Sequence, residues 1–236
     1  MRSIYVLLIR ALRRVARAIG FLRFLERHRH KRLFLYLRSL FAVYDAEDMA
    51  RLDLPWWTFS ATKYLEDFLR ERGGETEVFE YGPGASTVWL AKRVRRVVYV
   101  EHDERFARTV ERLVEGRSNV RGIFARPIQR RREDIICPSG REGYESLDFV
   151  DYVAAIRAAG GPFDLIVIDG RARASCLQEA TAHLKPDGAI LFDNSRRKRY
   201  QAAIRESSLS TSRFRGLTPG LPYREETTIL TSALDT

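Results

Sequence analysis

From residue 45 onward, short apolar segments alternate with segments of helical periodicity. Such alternation is typical of a parallel β-sheet with helices on both faces, because consecutive parallel strands need a long crossover connection, usually a helix. The segments predicted as strands are, in chain order, 77–81, 97–101, 120–125, 163–169, 189–193, 210–215 and 227–232. We therefore predict an α/β fold for this part of the chain.

The last two predicted strands have no helix between them. Residues 216–226 join them and contain a Pro-Gly pair and a second proline, as is typical of a hairpin loop. Before the first strand, a helix is predicted to begin at Ser60, whose hydroxyl can cap free amides, and to end at the glycine pair 73–74. Residues 126–147 lack regular periodicity, and we interpret them as an insertion over one edge of the sheet.

Positive charge is concentrated at the amino terminus. Residues 1–40 hold eleven of the 41 Lys and Arg but only one of the 31 acids, so the formal charge of +10 belongs entirely to them. Excess charge confined to one end is typical of an arm that contacts nucleic acid or membrane. We therefore predict an arm over residues 1–44 and a domain over residues 45–236.

The arm has the periodicity of a basic amphipathic helix. Its arginines recur at spacings of three and four, and apolar residues recur on another side: Arg10, Arg13, Arg14 and Arg17, against Leu8, Leu12, Val15, Ile19 and Leu22. The apolar run 4–9 is too short to span a bilayer, and the charges follow it instead of preceding it, unlike a secretory signal. Two alternatives stay open. The stripe binds an anionic membrane surface, or it packs on the domain and leaves the arginines solvated.

The cysteine content bears on the compartment. Cys137 and Cys176 are too few for a disulfide framework and lack the spacing of a zinc site. We expect a reducing, cytoplasmic environment, with a peripheral membrane location if the arm binds lipid.

A glycine loop is the first feature with chemical meaning. Residues 80–87 read Glu-Tyr-Gly-Pro-Gly-Ala-Ser-Thr and lie between a predicted strand and a helix predicted over 88–93. Gly82 and Gly84 allow close approach of the backbone to a ligand, and the helix start offers free N–H groups. A structural turn is the common alternative for so short a motif.

An acid at the end of the next strand strengthens the ligand interpretation. Glu101 lies nineteen residues beyond Gly82, where a carboxylate can accept hydrogen bonds from both ribose hydroxyls of a nucleoside. Thr87 replaces the third glycine of a dinucleotide motif. Glu80 would repel a pyrophosphate but suits a cationic amino acid tail. Both features argue against NAD.

These motifs resemble those of the class I S-adenosylmethionine (SAM) dependent methyltransferases, and the match extends over residues 78–231. The resemblance implies a Rossmann-like seven-stranded sheet with a C-terminal antiparallel hairpin, preceded here by the basic helix. It implies that Glu80 orders the loop or meets the SAM amino group, and that Glu101 binds the ribose with His102 near the adenine. The full set predicted to bind the cofactor is Glu80, Gly82, Gly84, Ser86, Thr87, Glu101 and His102.

A second acidic set follows the fourth and fifth predicted strands. Asp169, Asp193 and Asn194 come at neighbouring strand ends and offer oxygen ligands suited to Mg²⁺ or another divalent cation. This arrangement resembles catechol O-methyltransferase-like enzymes, although no lysine follows Asp169. The alternative is that Asp169 caps a helix and the Asp-Asn pair makes a turn.

Arginines follow the same strand ends. Arg171 and Arg173 fit the family pattern Asp-Gly-Arg-x-Arg, and guanidinium groups there could orient an anionic acceptor. We predict Asp169, Arg171 and Arg173 as catalytic residues, with Asp169 as a base if no metal is bound. The run 196–199 is interpreted as a solvated helix start.

Three function classes are compatible with the sequence. We favour a SAM-dependent methyltransferase that acts on an oxygen of a small-molecule or glycolipid acceptor, metal-assisted if the acidic set holds a cation. A nucleic-acid methyltransferase is the alternative, but residues 41–236 are neutral overall, and no Asn/Asp-Pro-Pro-Tyr motif is present. A non-catalytic SAM- or nucleotide-binding protein is the third class.

Overall fold

The computed structural model describes residues 2–232, without the side chains of residues 2–7 and of Arg10, so the predicted role of Arg10 and most of the apolar run 4–9 fall outside the described side chains. The strands are β1 (Glu77–Tyr81), β2 (Arg96–Glu101), β3 (Val120–Phe124), β4 (Ile128–Gln129), β5 (Leu147–Asp148), β6 (Phe163–Ile168), β7 (Leu184–Asp193), β8 (Ser210–Leu217) and β9 (Arg224–Thr231).

Seven of these strands form one sheet in the order β3-β2-β1-β6-β7-β9-β8. In this order, neighbouring strands among the first five (β3, β2, β1, β6 and β7) pair in parallel. Strand β9 pairs antiparallel with both β7 and β8. The predicted Rossmann-like sheet with its C-terminal hairpin is confirmed. The main difference is that β7 begins at Leu184, five residues before the predicted start, because Leu184 pairs with Phe163 ahead of a register shift.

The α-helices are α1 (Arg2–Ala18), α2 (Phe21–Arg27), α3 (Arg32–Ser39), α4 (Ala46–Leu52), α5 (Phe59–Glu71), α6 (Ala85–Ala91), α7 (Glu104–Leu113), α8 (Val150–Ala154), α9 (Arg173–Thr181) and α10 (Gln201–Glu206). The cap of α5 is Thr58, whose hydroxyl accepts from the amide of Ala61, and not Ser60 as predicted. Helix α6 begins three residues earlier than predicted, directly after the glycine loop.

The core has two layers, one on each face of the sheet. Alternate strand residues point to opposite faces, so neighbours such as Val167 and Ile168 enter different layers. One layer packs the sheet against α8, α9 and α10, and the other packs it against α5 and α6. The segment 126–147 contains β4, which pairs antiparallel with β5 (Leu147–Asp148) outside the main sheet, consistent with the predicted insertion.

The amino-terminal helices are attached through arginines. Asp48 is buried and accepts two hydrogen bonds from the Arg38 guanidinium, at 2.9 and 2.8 Å, and a third contact at 2.8 Å from Arg13. Arg13 also donates to Asp45 at 2.8 Å. The positive face of α1 is therefore turned partly inward, toward acids at the start of α4.

The predicted apolar stripe of the arm lies mostly on the outside. Leu8, Leu12, Val15 and Ile19 are 56, 48, 59 and 74% exposed, whereas Leu22 is buried with Leu25. The alternative in which the whole stripe packs on the domain is wrong for these four residues. Among the residues that the structure describes, no helix combines the length and apolar character needed to cross a bilayer.

The boundary near residue 45 stays a prediction, and contacts cross it. The Tyr36 hydroxyl donates to the carbonyl of Leu221 at 3.0 Å, and Ser39 Oγ accepts from the amide of Gly220 at 3.0 Å. The segment around α3 is therefore bonded to the β8–β9 loop.

We expect Asp48→Ala to lower the free energy of unfolding by about 3–5 kcal/mol, because it removes the buried counter-charge of Arg38 and leaves that buried guanidinium with the half-exposed Glu26 alone. Urea denaturation followed by circular dichroism measures this. The control is Glu47→Ala, since the Glu47 pair with Arg51 is exposed and long, at 3.5 Å. Equal stability of the two variants would contradict the role given to Asp48.

Candidate functional site

Two adjoining cavities lie at the carboxyl ends of the parallel strands, the edge where open α/β sheets bind ligands. The smaller cavity, of about 330 Å³, is lined by Glu101, the last residue of β2, and by His102. The larger cavity, of about 440 Å³, is lined by Asp193, the last residue of β7, and by Asn194. They share a wall made by Gly82, Pro83, Arg141, Asp169, Gly170 and Arg171.

Glu80 is buried beneath the glycine loop and lines neither cavity. Its Oε1 accepts from the Ser86 hydroxyl at 2.5 Å, and its Oε2 accepts from the Thr87 hydroxyl at 2.6 Å. Thr87 Oγ1 in turn accepts from the amide of Gly84 at 2.9 Å. Burial raises the pKa of Glu80 to about 8 although both hydroxyls act to lower it. Of its two implied roles, this geometry supports ordering of the loop.

The two loop glycines have different constraints. Gly82 has φ +85° and touches Gly170, so that a Cβ on Gly82 would lie 2.6 Å from the Gly170 amide nitrogen. Gly84 is extended, and a Cβ there would meet Trp56 at 3.7 Å and Phe106 at 3.9 Å, which are ordinary contacts. The protein's own packing thus requires glycine at position 82 but not at position 84.

Glu101 closes β2 and is buried at the smaller cavity. Its Oε1 accepts from the backbone amides of His102 and Asp103 at 2.7 and 2.8 Å, and lies 2.6 Å from His102 Nδ1. These contacts all involve Oε1 and leave Oε2 available to a ligand. His102 Nε2 is buried and has no hydrogen-bond partner within residues 2–232. Its ring packs near Phe149 and Tyr144.

Arg173 is buried between the ends of β6 and β7. Its guanidinium donates to the carbonyl oxygens of Asp169 at 2.8 Å and Asp193 at 2.5 Å, and Nε donates to that of Gly170 at 3.1 Å. It also donates to Asp169 Oδ1 at 2.8 Å and to Asn194 Oδ1 at 3.3 Å. Arg173 therefore joins the two strand ends, and its donors are used within the protein.

The acids around Arg173 are held in an environment that disfavours their charge. Burial raises the pKa of Asp169, while Arg173 and Arg197 oppose that shift. Burial and the neighbouring Asp169 raise the pKa of Asp193 to about 8. Asp193 Oδ1 also accepts from the Thr227 hydroxyl at 2.7 Å. Asp169 is the more exposed of the two carboxylates, at 19% against 5%, and it borders both cavities.

Other arginines also border the larger cavity, and one of them, Arg199, donates to the carbonyl oxygen of Gly140 at 2.7 Å. The Arg171 and Arg141 guanidinium groups lie 5.4 and 5.5 Å from the Tyr144 ring centre. Arg171 Nε is buried with no hydrogen-bond partner in the described part of the chain, and burial together with Arg141 lowers the pKa of Arg171. Residues 196–199 are all exposed, as the interpretation of a solvated helix start expects, and two of them, Arg197 and Arg199, also line this cavity.

Comparison with known proteins agrees with this geometry. Residues 79–195, which contain the glycine loop and both strand-end acids of the larger cavity, match a family model described as a methyltransferase domain. The chain belongs to the class I SAM-dependent methyltransferase superfamily. No curated protein sequence matches it.

Several solved structures are similar to this chain. Precorrin 8W decarboxylase from Methanobacterium thermoautotrophicum is 16% identical with a TM-score of 0.50, and the match covers 77% of this chain and 94% of that one. A methyltransferase-like protein from Silicibacter pomeroyi is 21% identical with a TM-score of 0.46, covering 71% and 86%. A methyltransferase from Pyrococcus furiosus is 20% identical with a TM-score of 0.45, covering 73% and 82%.

The predicted metal set of this methyltransferase does not fit a divalent cation. Asp169, Asp193 and Asn194 do lie together, but the Arg173 guanidinium already contacts all three. A bound cation would sit beside this positive charge and compete with it for the same oxygens. The described residues also contain no cluster of three or more His, Cys, Asp or Glu arranged for a metal.

Some residues of the site had no sequence pattern that could identify them. Arg141 and Tyr144 come from the irregular insertion, and Val43 and Tyr44 reach the larger cavity from the predicted arm. Trp56 lines the larger cavity, whereas Trp57 is buried against Trp89 in the core. Sequence position alone could not distinguish these neighbouring tryptophans.

We expect Gly82→Ala and Gly84→Ala to fail differently in this methyltransferase. Gly82→Ala should lower the unfolding temperature, because its Cβ collides with backbone at Gly170 and its φ is positive. Gly84→Ala should keep the wild-type unfolding temperature, because its Cβ makes only ordinary contacts within the protein. It should lose affinity for S-adenosylhomocysteine, because the added methyl group would occupy space where the ligand is expected to lie. Differential scanning fluorimetry and calorimetry measure the two effects. Unchanged affinity in Gly84→Ala would show that the cofactor does not approach this glycine.

Proposed function

We propose that the chain transfers a methyl group from SAM to an oxygen of an anionic small-molecule or glycolipid acceptor. The observation that carries this proposal is the position of Asp169. This carboxylate borders both cavities, its pKa is raised by burial, and it lines the larger cavity together with Arg171 and Arg197, which form no salt bridge within residues 2–232. Asp169 would thus place a base, and the arginines an anion-binding group, at the boundary between two ligand-sized spaces.

The smaller cavity suits the nucleoside part of the cofactor. SAM supplies an electrophilic methyl group carried on a sulfonium sulfur. Glu101 Oε2 would accept from ribose hydroxyls, and the buried, unpartnered His102 Nε2 would meet a polar atom of the base. Glu80 fixes the loop through Ser86 and Thr87, so that Gly84 borders the larger cavity in a fixed conformation.

Asp169 would act on the acceptor as a general base. Arg173 holds its Oδ1 at 2.8 Å, so we assign the acceptor hydroxyl proton to Oδ2. A raised pKa makes a carboxylate a stronger base at neutral pH than an exposed aspartate. Arg173 itself is a positioning residue, because its donors are bound to Asp169 and to backbone oxygens of both strand ends.

Arg171 would bind the anionic group of the acceptor. Its Nε lacks a partner although it is buried, and an unpaired buried donor costs free energy until a ligand accepts from it. Arg197 lines the same cavity and adds a second positive charge. Guanidinium groups bind carboxylate and phosphate in bidentate geometry, which would orient the acceptor oxygen toward the methyl donor.

A nucleic-acid acceptor is the second candidate, and one observation favours it. Residues 41–236 are neutral overall, which disfavours a nucleic-acid partner. The structure nevertheless gathers Arg141, Arg171, Arg197 and Arg199 around one cavity. We rank it second because these groups converge on a pocket instead of forming the extended basic track that follows a phosphate backbone.

We expect Glu101→Ala to abolish measurable binding of S-adenosylhomocysteine, because each buried ribose hydroxyl left unpaired costs about 1–3 kcal/mol. Glu101→Gln should lose less affinity, since its amide oxygen can still accept. Isothermal calorimetry measures both, with Glu104→Ala as control because Glu104 is half exposed on α7. Tight NAD binding without S-adenosylhomocysteine binding would overturn the cofactor assignment.

We expect Asp169→Asn to lower kcat by about 10²–10⁴ while leaving S-adenosylhomocysteine affinity unchanged. A base works only when deprotonated, so wild-type kcat should fall as the pH drops through the raised pKa of Asp169. Arg173→Met should shift this fall to higher pH, because Arg173 lowers that pKa. Methyl transfer from labelled SAM into aqueous, lipid and RNA extracts gives the assay.

The same assay includes a test of the metal. Turnover should continue in excess chelator, because the Arg173 guanidinium already contacts the oxygens of Asp169, Asp193 and Asn194 that a cation would need. Loss of turnover that Mg²⁺ restores would contradict this assignment, and label recovered in RNA alone would select the second candidate.

A further inference from the structure

The first helix of the arm, α1, and the residue that follows it present an apolar stripe to solvent. Leu8, Leu12, Val15 and Ile19 follow each other at spacings of four, three and four, and each is about half exposed or more. The same helix is held to the chain by its other side, through buried Ala16 and through Arg13 on Asp45 and Asp48. The stripe therefore faces solvent while the opposite side of the helix packs against the rest of the chain.

Helix α2 adds aromatic side chains to the exposed apolar surface of the arm. Phe21 and Phe24 stack with ring centres 6.4 Å apart and are 39 and 46% exposed. Soluble surfaces expose single apolar residues routinely, but six within one short segment indicate a binding surface.

Positive charge surrounds this surface. The exposed cations of the arm that form no ion pair within the described residues are Arg14, Arg17, Arg23, Arg27, Arg29, Lys31 and Arg32. The exposed acid of the arm, Glu26, pairs with Arg38 at 2.8 Å. The field around the stripe is therefore positive.

We propose that the stripe and these cations dock the protein onto an anionic lipid membrane surface. A second copy of the chain would bring two arms of like charge together, which disfavours self-association. Nucleic acid would neutralise the cations but would give the apolar side chains no partner. An anionic bilayer provides both a negative surface for the cations and an apolar interior for the stripe. This proposal does not depend on the proposed methyl transfer.

Flotation of the full chain with phosphatidylcholine vesicles, with and without phosphatidylglycerol, tests the proposal. We expect binding to the phosphatidylglycerol vesicles that weakens as salt rises, because surface charge is screened within a Debye length. The variant Leu12→Asn with Ile19→Asn should bind at least about tenfold more weakly, since it removes two inserted side chains. The matched control is Ile136→Asn, which changes a side chain that is 67% exposed in the insertion.

The contribution of the arm's positive charge is tested by the same vesicle flotation. Arg14→Glu with Arg27→Glu should weaken binding by at least about tenfold. Arg213→Glu with Arg215→Glu makes the same charge change on exposed residues of the edge strand β8 and should have less effect. Circular dichroism melting of each variant checks that it is folded.

Three outcomes would overturn the proposal. The full chain could ignore phosphatidylglycerol vesicles at low salt, or the stripe variant could float as well as the Ile136→Asn control. In the third, sedimentation would show a dimer that Ile19→Asn disperses, without vesicle binding, which would assign the stripe to a second copy of the chain.

Discussion

The site depends on one buried guanidinium. Arg173 lies at the start of α9, yet its hydrogen bonds reach the carbonyl oxygens of Asp169 and Asp193 at the ends of two parallel strands. Parallel strands diverge into separate loops beyond the sheet, so their terminal carbonyls need donors from elsewhere. By supplying them, Arg173 fixes where both carboxylates lie and neutralises part of the charge that burial would otherwise make unfavourable.

A backbone contact extends this constraint to the glycine loop. Gly82 and Gly170 touch, so the loop after β1 and the loop after β6 cannot move independently. Glu80 holds the same loop from below through two hydroxyls. The wall between the two cavities is thus rigid from both sides, which suits a reaction whose rate depends on alignment of donor and acceptor.

Much of the fold follows from the sequence because burial on both faces leaves the interior of strands such as β2 and β6 almost continuously apolar. The position of Glu101 follows for the same reason, since it ends such a strand. The roles of Arg173 and Arg141 did not follow. Arg173 binds mainly backbone oxygens, which no residue pattern encodes, and Arg141 lies in an insertion whose path is set by tertiary packing.

Net charge over a long segment is also a poor guide to local electrostatics. Residues 41–236 balance overall, but the structure separates their charges, placing several arginines around one cavity and Asp45 and Asp48 under the arm. Those two acids turn Arg13 inward, and the helical spacing then places Leu12, Val15 and Ile19 outward. The amphipathic pattern specified a helix with two faces, and only the position of the opposing acids determined which face would meet solvent.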